Sequence, residues 1–196
     1  MPDRVATPQA PRSAADLVCM RKLLTAALTT AALTATLPAA AQAAPAQLLA
    51  PAGACAAEGS STAPAAAQVR AMRCLVAGAR RRAGLPALHA HRTLARAAQL
   101  KSTRIQACGS FSHTPCGQPF TAAFKQAGWH GSMGENIAFG QAAQGTPRAI
   151  LTAWLNSPGH RANLLQPQFR YQGLAVRHAT LPGIGTVQLW VHTFGR

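Results

Sequence analysis

The spacing of apolar residues changes several times along the chain, and each change marks an element. A charge-free run rich in Ala, Leu and Thr extends from Leu23 to Leu37, behind Arg21-Lys22 and ahead of Pro38. From Ala65 to Ala83 the period becomes helical. Val69, Met72, Val76 and Ala79 share one face, arginines take the other, and Gly84-Leu85-Pro86 stops the element. A second helix is expected over residues 92–108, with Leu94, Ala97, Ala98 and Ile105 spaced for burial. The stretch CGSFSHTPCGQP, 108–119, has no period and reads as a loop; a short helix with Phe120 and Phe124 follows and stops at Gly128.

Beyond it the pattern turns strand-like over Glu135–Phe139. Thr146-Pro147 is a helix start, an N-cap hydroxyl followed by proline at the first helical position, and this helix continues through Trp154. Ser157-Pro158 repeats the device and opens the short helix PGHRANLL. Two strands, Tyr171–Arg177 and Thr186–Phe194, close the chain around LPGIG, whose proline and glycines suit an antiparallel hairpin. Helices bracketing a small sheet make an α+β layered domain. No internal repeat is visible.

The 196 residues need not form one unit. The basic pair, the Leu23–Leu37 run and the small residues around Ala43 match a secretory signal peptide over 20–43, cleaved after Ala43 or Ala44. The run is shorter than the ~20 residues that span a bilayer. Met20 is then the expected start, and residues 1–19 an upstream extension. Residues 44–66, rich in Ala, Pro, Gly and Ser, read as a linker with little core of its own, tied down by Cys55; residues 67–196 form the domain. No later stretch can span a membrane, so a secreted protein, extracellular or periplasmic and monomeric, is expected.

Cysteine usage agrees with export. Cys19 lies upstream; Cys55, Cys74, Cys108 and Cys116 remain, an even set that reads as two disulfides with three pairings open. Local closure favours Cys55–Cys74 and Cys108–Cys116. A zinc–thiolate site is the poorer alternative, since no C-x2-C pair occurs.

Charge narrows the partners. The formal net charge is +15, with 19 Lys and Arg against four acidic residues. Such a balance attracts polyanions: anionic envelope polymers, lipid headgroups or glycans. Nucleic acid is not expected, because helix-turn-helix spacing, zinc fingers and aromatic–basic interleaving are all missing. A basic surface that serves only solubility accounts for the same composition.

Glu135 is the last acidic residue of the chain, in SMGENIAFGQ; Glu58 is the one before it. Glycosidase chemistry usually needs two carboxylates at one place, which this domain does not offer. His113 lies inside the loop that a Cys108–Cys116 bridge would close, and His160 lies at a helix start in SPGHRAN. Two histidines and a glutamate can hold zinc or a similar divalent metal with one position open, which would suit a metal-assisted hydrolase. The H-E-x-x-H signature is absent. A Ser157–His160–Glu135 triad is disfavoured, since a serine before proline reads as an N-cap with its oxygen already employed. The trio could equally form a structural hydrogen-bonded network. Of the other histidines, His89 and His91 are expected to face solvent, His130 sits in a glycine-rich turn, and His192 and Trp154 read as structural.

RRRAGLPAL, SFSHTPCG, MGENIAFG, AWLNSPGHRANLL and QLWVHTFG occur in this order. Together they resemble the CAP superfamily (cysteine-rich secretory proteins, antigen 5 and pathogenesis-related proteins), above all its exported bacterial members with an SCP domain, over roughly residues 68–196. The resemblance implies a three-layer α-β-α sandwich with a central cleft where two histidines and two glutamates can bind a divalent metal. By motif, His113 and His160 match the histidines and Glu135 the glutamate of G-E-N. The second glutamate position, three residues after Trp154, is Ser157, so one acid is missing. Asn136 and Ser157 are left as neutral ligands or holders of a water. The family includes binding proteins, toxins, defence proteins and claimed proteases, so the resemblance alone does not make an enzyme.

Overall fold

The computed structural model describes residues 44–196. The expected extension and signal peptide, 1–19 and 20–43, lie outside them. Six helices are described: α1 (Pro45–Leu48), α2 (Ala65–Arg82), α3 (Arg92–Cys108), α4 (Ala122–Ala127), α5 (Pro147–Asn156) and α6 (Pro158–Leu164). The four strands are β1 (His89–Ala90), β2 (Met133–Gly140), β3 (Tyr171–Leu181) and β4 (Gly185–Gly195). The sheet order is β1-β3-β4-β2, with β1 parallel to β3 and the other pairs antiparallel.

Parity along the strands decides what meets what. On β4, Trp190 and Phe194 pack with Met72, Leu75 and Val76 of α2 and Ile150, Leu151 and Trp154 of α5. The alternate residues Val187, Leu189 and Val191 pack with Ala98 and Ile105 of α3. β4 is therefore buried on both faces, and a three-layer α-β-α sandwich results. The α3 layer comes so close to β3 that a Cβ on Gly173 would lie 2.1 Å from the Leu94 carbonyl carbon, so only glycine fits there.

Several expectations need correction. Residues 44–66 are not a bare linker: Leu48, Ala50 and Cys55 join the main core. Full burial of a leucine such as Leu48 contributes roughly 1.5–3 kcal/mol. The Glu58 carboxylate accepts from the Gly53 and Cys55 amides at 2.8 and 3.0 Å and from Arg148 Nη1 at 3.0 Å. Arg148, on α5, also donates to Ala50 O at 2.8 Å, so the segment is clamped to that helix. The two-residue β1 has no counterpart among the expected strands. Nor does His91, just after it, simply face solvent. Its Nδ1 accepts from Thr93 N at 3.2 Å, capping α3, and its ring lies 5.1 Å from Trp129 and 5.3 Å from Tyr171.

The disulfides are Cys55–Cys74 and Cys108–Cys116, with Cα–Cα distances of 5.9 and 5.5 Å, inside the usual range. Thr146 caps α5 as expected, accepting from Ala149 N at 3.3 Å.

Candidate functional site

Glu135 shares its β2 face with Ile137 and Phe139, which belong to the α3 core. Parity therefore turns the carboxylate toward α3, and α3 meets it with a cation. Lys101 Nζ lies 3.4 Å from Glu135 Oε1, with side-chain exposures of 1 % and 0 %. The same ammonium donates to the carbonyls of His113 and Phe120 and lies 5.4 Å from the Phe120 ring centroid. Burial pushes the Lys101 ammonium below its ordinary value, while Glu135 pulls it back up. Sequence reasoning missed this residue, although a signal was present. Lys101 falls on the stripe Leu94, Ala98, Lys101, Ile105, a lone lysine inside the apolar face of a helix.

His113 reaches the same carboxylate from the loop. Its Nδ1 lies 2.8 Å from Glu135 Oε1. A carboxylate only accepts, so Nδ1 carries the hydrogen and Nε2 is the nitrogen left for a ligand. The His113 side chain is 47 % exposed, so its ring opens to solvent while the Glu135 side chain does not. The Cys108–Cys116 bridge and the Lys101 bond to the His113 carbonyl hold this loop at two points.

His160 and Asn136 form a second arm. Asn136 is fully buried and faces α6, since its parity is opposite to that of Glu135. Its Nδ2 donates to His160 O at 2.9 Å, and its Oδ1 accepts from Asn163 Nδ2 at 2.9 Å. Asn163 also donates to Glu135 O at 3.2 Å. Asn136, expected as a neutral ligand, thus has both amide ends engaged in fastening α6 to β2. Ser157 does not use its oxygen as a cap: α6 has no side-chain cap bond, and Ser157 Oγ lies 2.9 Å from His160 Nδ1. Burial first, and His113 second, push the His160 imidazole below its ordinary range.

The three sequence-picked side chains are bonded in two pairs, His113 to Glu135 and His160 to Ser157, with the two imidazoles near enough for His113 to act on His160. A divalent metal such as zinc does not fit this donor set. Among the described residues no three His, Cys, Asp or Glu side chains gather closely enough to hold one ion. Glu135 Oε1 already faces an ammonium, and Oε2 is buried without a partner. A metal there would have to displace Lys101 or share a carboxylate with it, at the cost of like-charge repulsion.

Two other buried groups brace the site. Arg80, fully buried on α2, donates to Pro86 O and Leu164 O at 2.8 Å and Gln166 O at 3.1 Å, which satisfies carbonyls at the end of α6. Burial, then Arg170, lowers its pKa to about 10. His192 is structural, as expected. Gln172 Nε2 donates to Leu88 O at 3.0 Å, so Gln172 Oε1 accepts from His192 Nε2 at 3.0 Å. Burial, then Arg80, lowers the His192 pKa to about 3, and its Nδ1 has no partner.

Comparison with known proteins agrees with this architecture. The model of the cysteine-rich secretory protein family, CAP, matches residues 61–182. The uncharacterized protein YkwD of Bacillus subtilis (strain 168) is 37% identical over 97 residues, which cover 48% of this chain and 37% of that protein. The chain thus matches little more than a third of that relative's length. An extracellular protein containing an SCP domain from Bacillus anthracis superposes with a TM-score of 0.54 at 25% identity, covering 70% of this chain and 45% of the other. A cysteine-rich secretory protein from Staphylococcus aureus gives 0.55 at 15% identity, covering 68% and 40%. An outer surface protein of Borrelia burgdorferi gives 0.52 at 20%, covering 62% and 86%; these last two show the fold alone. With the motif order, the two disulfides and a family match over more than half its length, this chain belongs to the CAP family of cysteine-rich secretory proteins.

Proposed function

We propose that this protein is an exported interaction module of the cell envelope, a binding protein rather than a hydrolase, whose ligands are anionic envelope polymers, lipids or glycans. One observation carries the reading. Both acidic side chains of the described residues turn inward: Glu58 is 6% exposed and paired with Arg148, and Glu135 is 4% exposed and paired with Lys101 and His113. The side-chain charge left facing solvent on the described residues is positive. A surface without acidic side chains has no internal competitor for a polyanion.

Export is supported by the signal-peptide pattern over 20–43, by two disulfides, and by relatives described as extracellular or outer-surface proteins. Among the described residues no helix is long and apolar enough to cross a membrane. The cleft is read as a second contact, where the half-exposed His113 ring and His160 grip the ligand. Hydrolysis would need a carboxylate open to substrate and water; Glu135 Oε1 is held by Lys101 and His113, and Oε2 is buried.

Co-sedimentation with isolated cell envelopes tests this. The protein should pellet at about 50 mM salt and be released toward about 200 mM, as polyanion binding weakens with salt. His113→Ala should pellet less while keeping its circular dichroism. Failure to pellet at low salt, or retention indifferent to salt, would contradict the proposal.

A further inference from the structure

The two outer edges of the sheet are treated differently. On the β2 edge two outward carbonyls are capped: Asn163 Nδ2 donates to Glu135 O, and Trp154 Nε1 donates to Ile137 O at 3.3 Å. On the other edge β1 pairs with only Tyr171 and Gln172 of the 11-residue β3. The chain then leaves the sheet at His91 to begin α3. His91 N donates to the outward-facing Gln172 O at 2.9 Å, which fixes the phase. Because the β3–β4 register runs unbroken from Tyr171↔Gly195 to Leu181↔Gly185, the backbone groups of Leu174, Val176, His178 and Thr180 also point outward. Among the described residues no backbone or side-chain partner meets them.

At the start of this open edge, between α2 and α3, lies a cavity of about 290 Å³. Val69, Ala95 and Leu174 give it an apolar floor, and Arg73, His91 and Arg92 surround it. Farther along β3, the Arg177 guanidinium is fixed beside the strand by a bond to Thr103 Oγ1 at 3.1 Å. Edges are blunted by bulges, prolines, covering elements or charged side chains; this one carries arginines, which repel another cationic strand but attract an acidic one.

We propose that this edge is a peptide-binding site, and that an extended acidic peptide adds to the sheet beside Leu174–Thr180, with an apolar side chain in the cavity and its carboxylates against Arg73, Arg92 and Arg177. Charge decides the occupant. A second copy of the chain would set one cationic surface against another, since both acidic side chains of the described residues are buried, whereas an acidic strand is attracted. Main-chain bonds supply the affinity in such strand addition, and pockets for alternate side chains supply the specificity. The site lies on the edge opposite β2, which carries Glu135, and does not depend on the His113–Glu135 pair.

The test uses the full chain and fluorescent peptides that alternate Val with Glu, read by anisotropy, with Val/Lys peptides as the counterpart. The acidic set should bind at least roughly tenfold more tightly. N-methylation of every second residue should weaken binding by roughly tenfold or more in one phase and leave it nearly unchanged in the other, since only one set of amides faces β3. Amide exchange at Leu174, Val176, His178 and Thr180 should slow on binding, and Arg73→Ala should weaken it. The proposal is overturned if the two N-methyl phases bind alike, which would leave charge alone. It is equally overturned if no acidic peptide binds, or if sedimentation shows a dimer that protects those same amides. The N-methyl comparison leaves the protein unaltered, so it holds even if a variant misfolds.

Discussion

Lys101→Met keeps the apolar stripe of α3 but strands a carboxylate inside the domain. Lys101 Nζ and Glu135 Oε1 are 3.4 Å apart and almost wholly shielded from water. At an effective dielectric of about 20, that separation gives about 5 kcal/mol of attraction. Desolvating the two ions opposes it by several kcal/mol each, so the intact pair is near neutral for stability. Removing one partner is another matter: His113 still donates to the carboxylate, but without the ammonium the buried pair is broken, which costs about 3–5 kcal/mol. The carbonyls of His113 and Phe120 lose a donor as well. Lys101→Met should therefore lower unfolding stability by about 3–5 kcal/mol. Lys101→Met/Glu135→Gln should cost less than the sum of its single changes by roughly 1–3 kcal/mol, since the double variant buries no charge. Urea unfolding followed by tryptophan fluorescence, with m-values compared across the set, measures both. A cost below about 1 kcal/mol for Lys101→Met, or strictly additive single changes, would refute the buried-pair argument.

His192 sets a pH dependence. In the unfolded chain its imidazole takes a proton below pH 6.5, but in the fold not until about pH 3. Stability is therefore complete above pH 6.5 and falls by about 1.4 kcal/mol per pH unit beneath it. Half-buried His160, lowered in the same direction, adds to the fall. Urea midpoints measured from pH 7.5 to 4.5 should show the decline, and His192→Gln should flatten it; a flat wild-type profile would contradict the assignment. Asn136→Ala leaves the His160 carbonyl and Asn163 amide short of partners, so it should cost about 1–3 kcal/mol and speed amide exchange in α6 before the rest of the domain. Opening Cys55–Cys74, which spans 19 residues, should cost about 3 kcal/mol of unfolding stability by loop entropy, read as a shift in urea midpoint between Cys55→Ser/Cys74→Ser and the parent.

Most of the architecture is legible in the sequence because it rests on periodicity and caps. The helices at Ala65 and Thr146-Pro147, the closing hairpin and both cysteine pairs follow from local signals. Residues 44–66 mislead, because low-complexity composition hides Leu48 and because Glu58 gains its meaning only from Arg148, far away in sequence. The motifs bring out His113 and Glu135, which the fold joins as a bonded pair, but they do not point to the third partner. A lysine on an apolar stripe is usually read as a snorkelling surface residue; only the facing β2 strand shows that its head is buried. The side-chain role of Ser157 escapes the sequence for a related reason. Proline after serine marks the start of a helix, but it does not say whether the hydroxyl turns to the backbone or, as here, to the imidazole one turn on.

The central claim, a cationic envelope-binding module, is tested most directly by equilibrium binding to a purified anionic envelope polymer across a salt series. The account predicts that the logarithm of the affinity falls linearly and steeply with the logarithm of salt concentration, as cations released from the polymer are replaced by arginines. An affinity that stays constant from about 50 to about 200 mM salt would contradict it.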